Sequence, residues 1–343
     1  MRSLTVFIPG LFGPDIALHP DDLPSLPALN WFLSRGGCQN IQQVSASYTL
    51  CELFGLPANN SGDYPIAAVS RLSDDNQHPE GLWLRADPVH VSADRDGLIL
   101  IDNNRFTLTQ SDALALAADI NLLFQPYGIT IEVPVATRWY LRVNENYEIK
   151  TVPVDAIVGK DILPFMPSGD DRINVIQLMN DIQMTLHNSD VNKRREEEKQ
   201  LPINSIWFWG YGELPKIINR NWSFVSSDEI LAKGLSMVAA TPFEELPDSY
   251  NDIADKGSSY NGLIVLNSFQ KFSYYHDLEG WLEALLSVEE NWLAPLLKAL
   301  KSKQLDQLTI RTELNEIKLD KTARYKFWKK KKTLNSFKNN KRE

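Results

Sequence analysis

Apolar and polar residues along the chain follow two periods, and the clearest change of period lies in residues 170–215. Ile173, Ile176, Met179, Ile182 and Leu186 recur at helical spacing and predict one core-facing stripe. Asp170 or Asp171 stands where an N-cap would open that helix, because an Asp there accepts bonds from the free amides of the first turn. Asn180, Gln183 and His187, at i, i+3 and i+7, share a neighbouring face. Ile203–Trp209 is apolar on both faces, as a central parallel strand should be. Gly210-Tyr211-Gly212 is expected to end it. Ligands in open α/β sheets bind beyond the carboxyl ends of strands, so this turn is an expected pocket edge.

The same pattern divides the rest of the chain. Leu4–Ile8 reads as a buried strand, with helices over about 25–35 and 46–55 and a polar loop over 57–80. Trp83–Ala86 and Leu98–Ile101 read as strands. Thr109 with Asp112 resembles a capping box that opens a helix to about Phe124. Ile129–Val133 and Arg138–Val143 alternate as paired strands. After residue 203, strands at 223–225, Leu263–Asn267 and Leu305–Arg311 alternate with helices to about Ala240, opened by a Ser226–Glu229 capping box, and over about 278–301. Such alternation predicts a doubly wound, mostly parallel α/β sheet. The expected organisation is a core of residues 1–80 and 166–320, an inserted α+β lobe of 81–165, and a basic, disordered tail of 321–343.

Charge refines this picture. Residues 321–343 carry ten Lys or Arg against Glu343, whereas the whole 343-residue chain stands at −9, so residues 1–320 carry −18. A body this acidic has no general field for nucleic acid. The tail could contact a polyanion, either an anionic lipid surface or a nucleic acid on which Phe327, Trp328 and Phe337 would stack, or it could fold back on the acidic body. Cys38 and Cys51 lack metal-ligand spacing, which suggests a reduced, cytoplasmic setting. No signal-peptide pattern opens the chain. No apolar run approaches the roughly 20 residues of a transmembrane segment.

Three clusters could carry chemistry. Arg85, Asp87 and His90, followed by Asp94, Asp96 and Gly97, form the densest polar group. Arg85 suits bidentate capture of a carboxylate or phosphate. A metal site from Asp87, His90 and Asp94 competes with a plain hydrogen-bonded turn; the closing Glu of a calcium loop is absent. Asn180, Gln183 and His187 read either as a pocket wall or as a solvated helix face, and Asn192, Arg194, Arg195 and Glu196–Glu198 as charged helix surface. Gly210 and Gly212 lack the third glycine of a dinucleotide fingerprint, so no cofactor is expected. Pro9-Gly10-Leu11-Phe12-Gly13 invites an α/β-hydrolase reading, but the chain has no G-x-S-x-G elbow.

Longer motifs add a resemblance. Val191-Asn192-Lys193-Arg194-Arg195 through Pro202-Ile203-Asn204, then Gly210-Tyr211-Gly212, is similar to archaeal-type cofactor-independent phosphoglycerate mutases. LWLRADPVHV (82–91), RWYLR (138–142), the 180–187 helix and INSIWFWGYGELP (203–215) resemble the RpfE-type regulatory proteins. The resemblance implies an alkaline-phosphatase-like fold with an inserted lobe. It also implies two metal ions held by Asp and His and a phosphorylated serine. Here the first strand ends in Pro9-Gly10 where those enzymes have Asp-Gly. Asn267 and Phe272 stand at a His and an Asp position, Glu313-Leu314 at an Asp-His pair, and the serine's place falls near Ala46, between Ser45 and Ser47. Only His276 remains, so no metal is expected. The resemblance therefore implies a catalytically degenerate protein with a binding or regulatory role. An anionic small molecule would be held in a cleft between the lobes by Arg85, Asp87, His90, Asn180, His187, Asn192, Gly210 and Gly212. The alternative is an active phosphomutase or phosphatase with a rebuilt site.

Overall fold

The computed structural model describes residues 1–14, 23–41, 45–95, 97–144, 147–216, 218, 222–253 and 256–335. They fall into two compact units, Met1–Ala46 with Arg220–Glu343, and Ser47–Asn219. The first unit begins with strand β1 (Arg2–Phe7), helix α1 (Pro27–Arg35) and strand β2 (Gly37–Asn40). The chain then enters the second unit with helices α2 (Ala46–Leu53) and α3 (Ile66–Asp75). Strands β3 (Leu82–Asp94) and β4 (Gly97–Ile101) and helix α4 (Gln110–Phe124) follow. Next come β5 (Thr130–Val135), β6 (Arg138–Val143) and the short β7 (Ile149–Lys150) and β8 (Ser168–Gly169). Helices α5 (Arg172–Asn188) and α6 (Asp190–Glu197) and strand β9 (Ser205–Glu213) complete the unit. Back in the first unit are β10 (Phe224–Ser226), α7 (Ile230–Val238), β11 (Phe243–Glu244), β12 (Tyr260–Val265) and α8 (Gln270–Tyr274). Helices α9 (Leu278–Val288) and α10 (Ala294–Lys301) and strands β13 (Gln307–Arg311) and β14 (Asn315–Asp320) end the series.

The first unit is built on one sheet in the order β11-β10-β12-β1-β13-β14-β2. Its first five strands run parallel, and β14 and β2 close one edge antiparallel. β1 lies near the middle and is apolar on both faces: Leu4, Val6 and Phe7 are all buried. Phe32, Phe269, Trp281, Leu285 and Leu296 belong to the same core. The expected α/β class, a mostly parallel sheet with helices and a separate α+β unit, is therefore observed.

Helix α1 has no side-chain cap of its own and opens on Pro27. Its free amides are met from a distance: Ala28 N–H and Leu29 N–H donate to the Glu289 carboxylate at 2.6 and 3.0 Å. Glu289 begins a π-turn (Glu289–Leu293) that interrupts the expected 278–301 helix. A helix N-terminus attracts negative charge, so this buried carboxylate does the work of a cap.

The second unit is wider than the expected 81–165 lobe, and the reason is β9. The apolar run at 203–209 predicted a strand of the parallel sheet. Instead β9 pairs antiparallel with β3, from Leu82 opposite Glu213 to Val89 opposite Ser205. β3 also pairs with β6 at its start and with β4 at its end, and β5 flanks β6. All of β9 but Glu213 is buried, so burial on both faces is real while the choice of sheet was not readable from it. The glycine pair does not stop the strand either. Within 57–80, read as loop, lies α3, whose Ala67, Ala68 and Val69 are buried. The Thr109–Asp112 cap is present, with Asp112 N–H donating to Thr109 Oγ1 at 3.1 Å. The Asp171 carboxylate, by contrast, leaves its own helix uncapped and accepts from Glu148 N–H at 2.8 Å. Asp96 of the acidic loop lies outside the described residues. Among those described, no helix is long and apolar enough to cross a membrane.

The segment read as a disordered tail is anchored to the first unit as far as residue 335. Leu334 is 1% exposed and its N–H donates to Asn30 Oδ1 at 3.2 Å. Lys332 N–H donates to Ser34 Oγ at 2.8 Å. Between this anchor and β14, Phe327 and Trp328 stack edge to face at 5.4 Å and remain 77% and 69% exposed. Residues 336–343 lie outside the described part. Leu334→Ala should therefore lower stability by about 2 kcal/mol, the low end for a buried leucine. Phe327→Ala and Trp328→Ala should leave it nearly unchanged. Urea denaturation of the three variants measures this; an unperturbed Leu334→Ala variant would contradict the anchoring.

Candidate functional site

All eight candidate binding residues lie in the second unit, and the structure separates them. Arg85 and Asp87, two apart on β3, point to one face of the strand. The Arg85 guanidinium donates from Nε and Nη2 to Asp87 Oδ1 at 3.0 and 2.7 Å, and from Nη1 to Ser70 Oγ at 3.3 Å. It also lies against the rings of Tyr140 and Trp209, 5.3 and 5.1 Å from their centroids. Asp87 Oδ2 accepts the Trp209 indole N–H at 2.7 Å. Burial pushes the Asp87 carboxyl above its ordinary value, against the opposing pull of Arg85 and Trp209. A second layer extends the network, in which Asp74 accepts from Arg138 Nη2 at 2.7 Å and from the Tyr140 hydroxyl. The fork of Arg85 is thus engaged inside the protein.

The other candidates have separate tasks. His90 Nδ1 bonds Pro202 O at 2.8 Å. Asn192, buried, donates to Leu186 O and Ile203 O at 2.8 Å each and accepts from Ile203 N–H at 2.9 Å. That clamp ties α6 to the chain entering β9. Asn180 and His187 are exposed on α5, while Gln183 between them donates to Ser205 Oγ at 3.0 Å. Gly210 (φ +70°) sits where the β3–β9 register slips by one residue, a bulge that asks for a left-handed conformation. A Cβ there would lie 3.0 Å from Ile66 Cβ, and one on Gly212 would lie 2.8 Å from Pro65 Cβ. The two glycines let α3 approach the strand. They are packing glycines.

Sequence reasoning missed a buried acid network beside them. Asp63 is 0% exposed. Its Oδ1 accepts from the Tyr48 hydroxyl at 2.7 Å and Tyr64 N–H at 3.1 Å; its Oδ2 accepts from Thr151 N–H at 3.0 Å and from the Thr151 hydroxyl. Thr151 Oγ1 in turn accepts from Gly210 N–H at 3.0 Å. Burial pushes the Asp63 carboxyl above its ordinary value of 3.8 despite these bonds. Burial also pushes up the Tyr48 hydroxyl and the Cys51 thiol, with Asp63 adding to both. Nearby, Asp155 Oδ2 accepts Ser47 N–H at 2.8 Å, at the start of α2.

The first unit holds the positions at which the resemblance places metal ligands. Gly10, just past β1, donates its N–H to both oxygens of Glu313 at 3.0 and 3.1 Å. Asn267, just past β12, donates Nδ2 to Glu229 Oε2 at 2.9 Å. Phe272 packs its ring against Gly280. His276 is exposed. A glycine amide and a phenyl ring offer no ligand to a cation, the Asn267 carboxamide could offer only its oxygen, and the Glu313 carboxylate is already bonded to the Gly10 amide. Among the described residues no three His, Cys, Asp or Glu gather as a metal site. This donor set does not fit a two-metal centre.

Known proteins give partial matches. No family model matches the chain. A 101-residue segment is 37% identical to a probable 2,3-bisphosphoglycerate-independent phosphoglycerate mutase of Geobacter sulfurreducens, covering 28% of this chain and 25% of that protein. A 269-residue stretch is 24% identical to the 2,3-bisphosphoglycerate-independent phosphoglycerate mutase of Methanosarcina barkeri, covering 71% of this chain and 64% of that one. The chain therefore spans less than two thirds of each. In fold it is similar to the PH0037 protein of Pyrococcus horikoshii, with a TM-score of 0.54, 12% identity, and coverage of 93% and 87%.

The Asp63 network yields a stability test. In Asp63→Asn one oxygen becomes a donor, which leaves either the Tyr64 or the Thr151 N–H without an acceptor, at a cost of about 1–3 kcal/mol. The sign of the pH effect follows from the raised value. The folded protein holds this proton more tightly than the unfolded chain, so the carboxyl favours folding most below pH 3.8 and the contribution is lost as pH rises through the raised pKa. The advantage of the native protein over Asp63→Asn should shrink across that interval. Denaturation curves at stepped pH measure it; a gap that widens with pH would contradict the assignment.

Proposed function

We propose that the protein is a phosphoglycerate-mutase-like protein whose phosphotransfer centre has been lost and whose role is binding or regulation, as in the RpfE-type proteins its motifs resemble. One observation carries this reading. The turn after β1, where the resemblance puts a metal-binding Asp, is Pro9-Gly10, and its free amide holds the carboxylate of Glu313. The carboxylate acts there as an acceptor for backbone. Two metal ions normally clamp the attacking and leaving oxygens in phosphoryl transfer, and the residues at hand give them no cage.

The alternative enzyme with a rebuilt site would draw on Asp87, His90 and His276. Asp87 is held by Arg85 and Trp209, and His90 by the Pro202 carbonyl, so that reading has less support. A contact with a polyanion remains part of the proposal. Phe327 and Trp328 are exposed among Lys326 and Lys329–Lys332 and are presented by an ordered segment.

The purified protein should hold less than one equivalent of manganese, zinc or magnesium by elemental analysis. It should interconvert 3- and 2-phosphoglycerate no faster than the buffer with either manganese or magnesium added. Stoichiometric metal, together with mutase activity that His276→Ala abolishes, would overturn the proposal.

A further inference from the structure

A cavity of about 500 Å³ lies within the second unit, between the turn after β4 and the turn after α6. Asn103, Arg105, Arg195, Lys199 and Gln200 are among its lining residues, and no carboxylate lines it. The volume is in the range of small-molecule sites.

Arg195 distinguishes this cavity from a surface dent. It is 2% exposed. Nε donates to Leu201 O and Nη1 to Thr107 O, both at 2.9 Å, so the guanidinium plane is fixed across the two walls. Nη2 has no hydrogen-bond partner among the described residues, and no carboxylate pairs with Arg195 there. Arg85 and Arg138, by contrast, both have carboxylate partners. Burial pulls Arg195 below its ordinary value, against the opposing pull of Asp112 and Glu198, neither of which bonds to it.

The acids nearby are engaged elsewhere. Asp102 accepts from Asn104 N–H and Nδ2 at 3.2 and 2.6 Å. Asp112 pairs with Arg194. Glu198 accepts from Gln200 Nε2 at 3.1 Å. Arg105 and Lys199 add two more cations at the mouth, and Asn103 adds an amide donor.

We propose that this cavity is a binding site for a phosphorylated small molecule. Arg195 Nη2 would be its buried anchor, with Arg105 and Lys199 at the rim. A planar guanidinium and a flexible ammonium suit tetrahedral oxyanions in complementary ways, the first by directed bonds and the second as a point charge. The site is independent of the first unit's sheet edge, so it stands whether or not the protein proves to be an enzyme.

Inorganic pyrophosphate is the probe, titrated by calorimetry at constant ionic strength, with sodium chloride as the control. Saturable binding to one site is expected, weakened at least tenfold by Arg195→Lys and by Lys199→Asn. Lys199 has φ +58°, a conformation asparagine tolerates, and its side chain is exposed, so this second variant keeps the fold if Arg195→Lys does not. Lys193→Gln, an exposed charge on the same helix, should bind as the native protein does. Absence of saturable binding would overturn the proposal. So would binding unchanged in Lys199→Asn, or equal weakening by Lys193→Gln, which would indicate only a diffuse field.

Discussion

The pairing of β3 with β9 is the contact on which the second unit depends. It joins residues 82–89 to 205–213, more than a hundred positions apart, and so brings everything between them into one body. The register sets the chemistry. Arg85 lies opposite Trp209, so the guanidinium meets the indole ring, while Asp87 on the same face takes both the guanidinium and the indole N–H. Buried charges of this kind are tolerated only when paired and hydrogen-bonded. Two clamps hold the approach to the ladder: Asn192 bonds Ile203, and Asn204 bonds Val91 through both N–H and C=O at 2.7 and 2.9 Å.

This explains which parts of the fold were legible in the sequence. β1, β6, α4 and its Thr109 cap carry local signals, and those signals name the element directly. The run at 203–209 signals only burial on both faces, which a strand under α3 and α5 satisfies as well as a central parallel strand does. α3 was missed although Ile66, Ala67, Val69 and Ser70 form a buried face, because Pro65 and the surrounding polar residues read as loop. Leu334 is one apolar residue after four lysines, and nothing local shows that it is anchored.

The candidate site was legible as a set of unusual residues, several of which have partners inside the protein. Arg85, Asp87 and Asn192 stand out because polar groups in apolar segments need partners, and their partners turned out to be each other and the backbone. Asp63 went unnoticed because its acceptor role depends on Thr151, 88 positions away. Arg195 was read as helix surface, although the chain folds a turn over it and leaves one face open to a cavity. What distinguishes binding from structure in this unit is whether the charge has a counter-charge inside the protein. Arg85 bonds the Asp87 carboxylate, whereas Arg195 bonds only backbone carbonyls.

The account rests on Arg85 and Asp87 being a structural pair instead of a ligand clamp, and a double-mutant cycle on urea stability measures that most directly. Removing one partner of a buried ion pair costs about 3–5 kcal/mol, whereas replacing both by apolar residues of similar volume can be nearly neutral. The account predicts that Asp87→Leu is severely destabilising and that Arg85→Met/Asp87→Leu recovers much of the loss. Single variants as stable as the native protein, or effects that simply add, would contradict it.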